Sequence, residues 1–269
     1  MEKIAVIVVV AVVAGGALYL FGRNVSSRQR LIRSAAATVA GALAAAGAVY
    51  GLEALTGDDA QMVENAMTEA RTLPLVGLVL ADVPDSEARL RATLKEELRN
   101  PTTEGPPRPL VLMRELRAAY IVPALRATDA ADAEGVLAAR VALMRHLRGT
   151  NVAACRELAL IGIQRADRLD SQGQHLMRQM LTAMEKAYRS GRAALTSGAA
   201  APPPVPNDTE ARELLVEAGL TAGDFEQLQN LAKLSPEEAC ELGIRLNGTP
   251  SKLPADRAGG LARYLAAAQ

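Results

Sequence analysis

Two long apolar segments open the chain, and the body that follows alternates apolar and polar positions with helical spacing. Residues 4–21 form an 18-residue run without a charged side chain, and residues 34–52 form a similar run of 19. Because a helix rises about 1.5 Å per residue, each run is long enough to cross most of a bilayer core of about 30 Å. We therefore predict a transmembrane hairpin of two helices over residues 1–56, with the lipid bilayer as its first partner.

Two alternatives bear on this hairpin. The first run could be a cleaved signal peptide, but its start is nearly neutral and no A-x-A-like cleavage site follows it. The second run is mostly Ala and Gly and would insert poorly without a partner helix. Small residues let helices approach closely, and the two runs carry them at Ala11, Gly15, Gly47 and Gly51. We favour packing between the legs of one hairpin over a dimer contact through the same residues.

Charge sets the predicted orientation of the hairpin. The segment between the two runs carries four arginines, whereas the segment after the second run begins with Asp58 and Asp59. Basic residues stay on the cytoplasmic side, so the loop is predicted inside and both termini outside. This predicts a bacterial inner-membrane protein with a periplasmic body. If residues 34–52 do not cross the membrane, the body is cytoplasmic instead.

The body shows helical periodicity throughout, and no strand-period run of useful length interrupts it, so the predicted fold class is all-α. A kink is expected near Pro123, and interruptions are expected at Pro74 and at residues 81–84. Asp85 with Ser86, Asp129 and Asp170 are expected to open helices. The main predicted helices cover residues 58–73, 85–99, 110–127, 129–150, 152–159 and 170–195.

Composition divides the rest of the chain. A Pro-rich linker is predicted over residues 196–206, after a helical-bundle body at 57–195 and before a small helical C-terminal unit at 207–269. Within that unit, capping boxes are predicted at Asn207, Thr221 and Ser235, and a last helix from Pro254.

Sequence motifs that carry known chemistry are missing. There is no phosphate-binding loop, no H-E-x-x-H, no C-x-x-C and no nucleophile elbow. The two histidines, His146 and His175, lie on different predicted helices, so we expect no catalytic residue, metal site or cofactor. A stripe of methionines between Leu176 and Tyr188 could form an adaptable groove, but at this spacing it is more often core.

The charges cancel overall, with 30 basic and 30 acidic residues, and aromatic residues make up 3% of the chain. We therefore expect no nucleic-acid partner. Locally, residues 207–241 hold nine acids against two basic residues, and a preceding stretch is basic. Either the basic stretch binds an anionic partner such as lipid headgroups, or the acidic unit folds back onto it, which we favour. The basic stretch contains Arg140, Arg145, Arg148, Arg156, Arg165 and Arg168.

Cys155 and Cys240 are the only cysteines, and one lies in each of these two regions. A periplasmic body would permit a disulfide between them, and we predict that bond. The alternative is a pair of buried free thiols. Together these features predict a membrane-anchored scaffold or accessory subunit that contacts envelope proteins through its helical body. The alternative is an envelope enzyme or ligand-binding protein with a site in a helical cleft.

Overall fold

The computed structural model describes residues 59–160, 162–163, 168–197 and 204–268, and every regular element in these ranges is helical. The predicted all-α class is confirmed for this part of the chain. The predicted hairpin, with Ala11, Gly15, Gly47 and Gly51, lies outside the described residues. Among the helices that are described, none is both long and apolar enough to cross a membrane.

The described residues fall into two compact units, one ending at Ala119 and the other beginning at Tyr120. This division does not coincide with any predicted domain limit, and those limits stay predictions. The first unit contains α1 (Asp59–Thr72), α2 (Pro74–Asp82), α3 (Ser86–Arg99) and α4 (Arg108–Leu116). Helix α1 packs against α2 and α3, and α3 packs against α4. The apolar residues buried in this unit include Met62, Met67, Val76, Val79, Leu90 and Met113.

Two details of the first unit differ from the sequence prediction. No helix was predicted between the interruptions at Pro74 and at residues 81–84, yet this stretch forms α2. The interruption at Pro74 itself is confirmed, because α1 ends at Thr72 and α2 begins with Pro74 at its first helical position, where the missing N–H is not needed. Asp85 does not cap α3, because its backbone is left-handed, with φ of 62°, instead of extended. The Ser86 hydroxyl instead donates to the carbonyl of Val83 at 2.8 Å.

The irregularity predicted near Pro123 takes the form of a π turn, Arg117–Ile121, between α4 and α5 (Val122–Ala127). Proline lacks an N–H group, and its ring collides with the carbonyl four residues earlier. A wider turn directly before Pro123 removes that conflict.

Besides α5, the second unit contains α6 (Ala130–Thr150), α7 (Val152–Leu160), α8 (Ser171–Thr196), α9 (Asp208–Glu217), α10 (Ala222–Gln229), α11 (Pro236–Asn247) and α12 (Ala255–Ala268). Helix α6 lies at its centre and packs against α8, α11, α12 and α7. Helix α8 also contacts α5, α11 contacts α7, and α9 contacts α12.

The methionine stripe of α8 belongs to the core of this unit. Met180 is 4% exposed, and Met177 and Met184 pack at the edge of the same cluster, which also contains Met144 and Leu158. The core interpretation of the stripe is therefore correct. All three predicted capping boxes, at Asn207, Thr221 and Ser235, are present, and Asp170 caps α8. The last helix follows Pro254 as expected and buries nearly every residue from Ala258 to Ala267.

Candidate functional site

The cysteine pair lies in the core of the second unit. Cys155 on α7 and Cys240 on α11 are both fully buried, and their sulfur atoms lie 2.01 Å apart, at disulfide distance. Their Cα atoms are 5.3 Å apart. The two sulfurs lie 3.4 and 3.9 Å from the main-chain oxygen of Met144. The pair thus joins α7 and α11 beside the central helix, in surroundings that solvent does not reach.

The six arginines of the basic stretch have different surroundings. Arg140 is buried on α6 and donates to the carbonyl of Leu158 at 2.5 Å. Desolvation lowers the pKa of Arg140 to about 10, which still leaves the guanidinium charged at neutral pH. Arg145 and Arg168 are exposed, whereas Arg165 lies outside the described residues.

Two of these arginines contact the acidic C-terminal segment. Arg148 forms an ion pair with Glu241 at 2.5 Å, and Arg156 donates to the carbonyl of Ala232 at 3.0 Å. Other acids of that segment pair with basic residues further along the C-terminal part of the chain. Asp224 lies 2.5 Å from Arg245, and Glu217 lies 2.5 Å from Arg257. Direct charge pairing between the two regions in the described ranges is therefore limited to Arg148 and Glu241.

His146 contacts the carboxylate that begins α8. Its Nε2 atom lies 2.8 Å from Oδ1 of Asp170, and the same oxygen accepts the main-chain N–H of Gly173 at 2.7 Å. The Gly173 amide, followed by His146, holds the pKa of Asp170 below its ordinary value. Asp170 thus caps the N-terminus of α8 and links it to α6 through His146, so both side chains have a structural role.

His175 lies on an open surface. It is exposed on α8 beside a shallow groove of about 540 Å³ between α6 and α8. A second depression, of about 600 Å³, lies along α3 beside Asp85 and Arg91 and is also open to solvent.

No group of three or more metal-ligating side chains occurs among the described residues. Neither of these two depressions is the deep pocket beside a histidine that would favour an enzyme.

Sequence reasoning missed the burial of Arg140 and the groove beside His175. The signal for Arg140 was available, since it lies on the apolar stripe of α6 between Leu137 and Met144. The groove has no comparable signal, because it depends on how two helices meet. In comparisons with known proteins, no family model, no curated protein and no solved structure matches the chain.

Proposed function

We propose that this protein is a membrane-anchored scaffold or accessory subunit whose helical body stands on the periplasmic side of a bacterial inner membrane. The observation that carries the proposal is the buried cysteine pair at disulfide distance. Protein disulfides persist in oxidising compartments and are rare in the cytosol. The arginine-rich segment between the two apolar runs independently favours the same side for the body.

The surface of the described helices is consistent with a scaffold role. Several of its charged side chains form ion pairs between helices, among them Arg148 with Glu241 and Arg257 with Glu217, and the two depressions described above are open to solvent. Such a body presents helix faces to partners instead of enclosing a small molecule. The proposed partners are other membrane or envelope proteins.

A thiol-trapping experiment tests the location. Cells producing the full chain are quenched in acid, and the denatured protein is treated with a maleimide that adds visible mass. We expect no mass shift without prior reduction and two additions after it, because a disulfide blocks both sulfurs. Cys155→Ala is the matched control and should take up one maleimide without reduction. Two additions without reduction in the wild type would contradict a periplasmic body.

Topology and assembly are tested separately. A reporter that is active only in the periplasm, fused after residue 60, is expected to be active, and a cytoplasm-only reporter is expected to be silent. After solubilisation from its native membranes, the chain is expected to co-purify with a membrane protein in a fixed ratio. A cytoplasmic reporter signal would contradict the anchor orientation, and purification of the chain alone would contradict the scaffold.

A further inference from the structure

The groove between α6 and α8 has a floor of small side chains and a rim of basic side chains. Its floor contains Ala139 from α6 and Ala183 from α8, and its rim carries His175, Arg178 and Lys186. Lys186 is already paired with Asp132 at 2.7 Å. Arg178 is exposed and makes no ion pair with any described residue, so it is the rim charge that is available to a partner. We refer to this feature as the α6/α8 groove.

The outer face of α9 has the complementary chemistry. Glu213 is exposed and, within the described ranges, has no ion-pair partner. One turn further along lies Val216, which is 52% exposed and is the most exposed large apolar side chain in the described part of the chain. The opposite face of α9 buries Ala211 and Leu215, and the helix packs on α12. An acid and an apolar side chain are thus presented together to solvent.

We propose that α9 of one copy of this chain docks in the α6/α8 groove of a second copy. Glu213 then faces Arg178, and Val216 covers the floor at Ala139 and Ala183. The lengths are similar, since the ten residues of α9 span about 15 Å and the twelve residues of α8 from His175 to Lys186 span about 18 Å. Opposite charges at this rim select the partner and orient the helix.

The two surfaces lie on different helices of the unit, so one copy can offer both at once. Each such contact joins unlike surfaces, so repeating it either closes into a ring or a reciprocal dimer or produces a row of copies. A single helix in a shallow groove buries little area and binds weakly. Confinement to a membrane raises the effective concentration of such copies, and in this respect the inference rests on the proposed anchored scaffold.

The test uses two differently tagged full-length copies produced in one cell and solubilised together in mild detergent at low salt. Capture of one tag is expected to recover the other. Arg178→Glu in both copies, or Glu213→Arg in both, should reduce recovery by about tenfold or more, since like charges then meet at the rim. A mixture of one Arg178→Glu copy with one Glu213→Arg copy should restore recovery, because the opposite charges meet again.

Matched controls are available on the same unit. Arg145→Glu and Glu226→Arg make the same charge changes at exposed positions outside both surfaces and should leave recovery unchanged. Restored recovery in the mixed pair also shows that both variants fold. Recovery that is absent in the wild type, that survives both reversals, or that is not restored by mixing would overturn the inference. If the copies fail to associate but stay membrane-bound after an alkaline wash, the docking is wrong and the anchor stands; release by the wash contradicts the anchor.

Discussion

Asp170 shows how one carboxylate combines a helix cap with a contact between helices. Its Oδ1 atom accepts the Gly173 N–H at the start of α8 and also lies 2.8 Å from His146 on α6. Both interactions favour the charged carboxylate, which is why its pKa is lowered. An unfolded aspartate has a pKa of about 3.9. The charge therefore contributes stability above that value, and the contribution is lost as the pH falls through the lower folded pKa.

The pH dependence of Asp170→Asn follows from this linkage. Asparagine still offers a capping oxygen but carries no charge, so the variant should be less stable than the wild type at pH 7. The difference in stability between the variant and the wild type should shrink as the pH is lowered from about 5 toward about 3, because the pKa of an unfolded aspartate, about 3.9, lies in this range. Thermal unfolding of the full chain, followed by circular dichroism across this pH range, measures it. Asp85→Asn is the control, because the Asp85 side chain makes no capping bond. A constant difference at all pH values would contradict this role for the charge.

At this scale the sequence predicts those features that depend on neighbours along the chain. The Ser235 capping box needs only Glu238 three residues later, and both of its hydrogen bonds are present. Asp85 has the same residue type as a cap, but the turn after α2 places it in the left-handed region. Arg140 was assigned to a basic surface by counting charges, whereas its position on an apolar stripe buries it. Capping chemistry is therefore readable from adjacent residues, whereas the burial of Arg140 becomes readable only when the helical spacing of its apolar neighbours is weighed against its charge.

At the scale of elements, the closest approach between α8 and α5 depends on a glycine. A Cβ atom added at Gly191 would lie 1.7 Å from the carbonyl oxygen of Ala124, which is main chain and cannot swing aside. Gly135 on α6, by contrast, has nothing within 4 Å of an added Cβ. Both glycines lie inside helices, so their alanine variants differ mainly in the space available.

Gly191→Ala is therefore expected to lower the free energy of unfolding by about 2–3 kcal/mol, because α8 must move away from α5. Gly135→Ala should raise it by about 0.5–1 kcal/mol, since alanine is the better helix former. Chemical unfolding of both full-length variants beside the wild type gives the two values. Equal effects in the two variants would show that α8 and α5 do not approach as closely as described.

The apolar periodicity of the sequence predicted where helices form, but it did not predict which helices pack against each other. The stripe from Leu176 to Tyr188 predicted a buried face on α8, and that face is buried. The spacing of apolar residues does not indicate that α6 lies between α8 and α12, because the order of packing depends on the paths of the connecting segments and on small residues. One such residue is Gly259, where an added Cβ atom would lie 2.5 Å from the Cβ atom of Ala130. The α6/α8 groove results from that packing, so the sequence did not predict it either.

At the scale of the whole molecule, the cysteine pair connects helices on either side of the Pro-rich stretch. Cys155 and Cys240 are separated by 85 positions in sequence, and beside them α11 packs against α6 and α7 while α12 packs against α6. A bond across so long a loop removes much conformational freedom from the unfolded chain. Loop-entropy reasoning gives about 4–5 kcal/mol of stabilisation for a loop of this length, a large part of the net stability of a typical domain.

The double variant Cys155→Ala/Cys240→Ala is expected to lose stability of about that size. Alanine leaves no thiol to mispair and no buried polar group, so the loss reports the missing bond together with a small packing defect. Chemical unfolding of the full chain, with and without reductant, measures the effect. The wild type should unfold at lower denaturant concentration once it is reduced and should then approach the variant, while the variant should not respond to reductant. A wild type that is indifferent to reductant and as stable as the variant would show that the two sulfurs are not bonded, and the main support for an oxidising compartment would be lost with them.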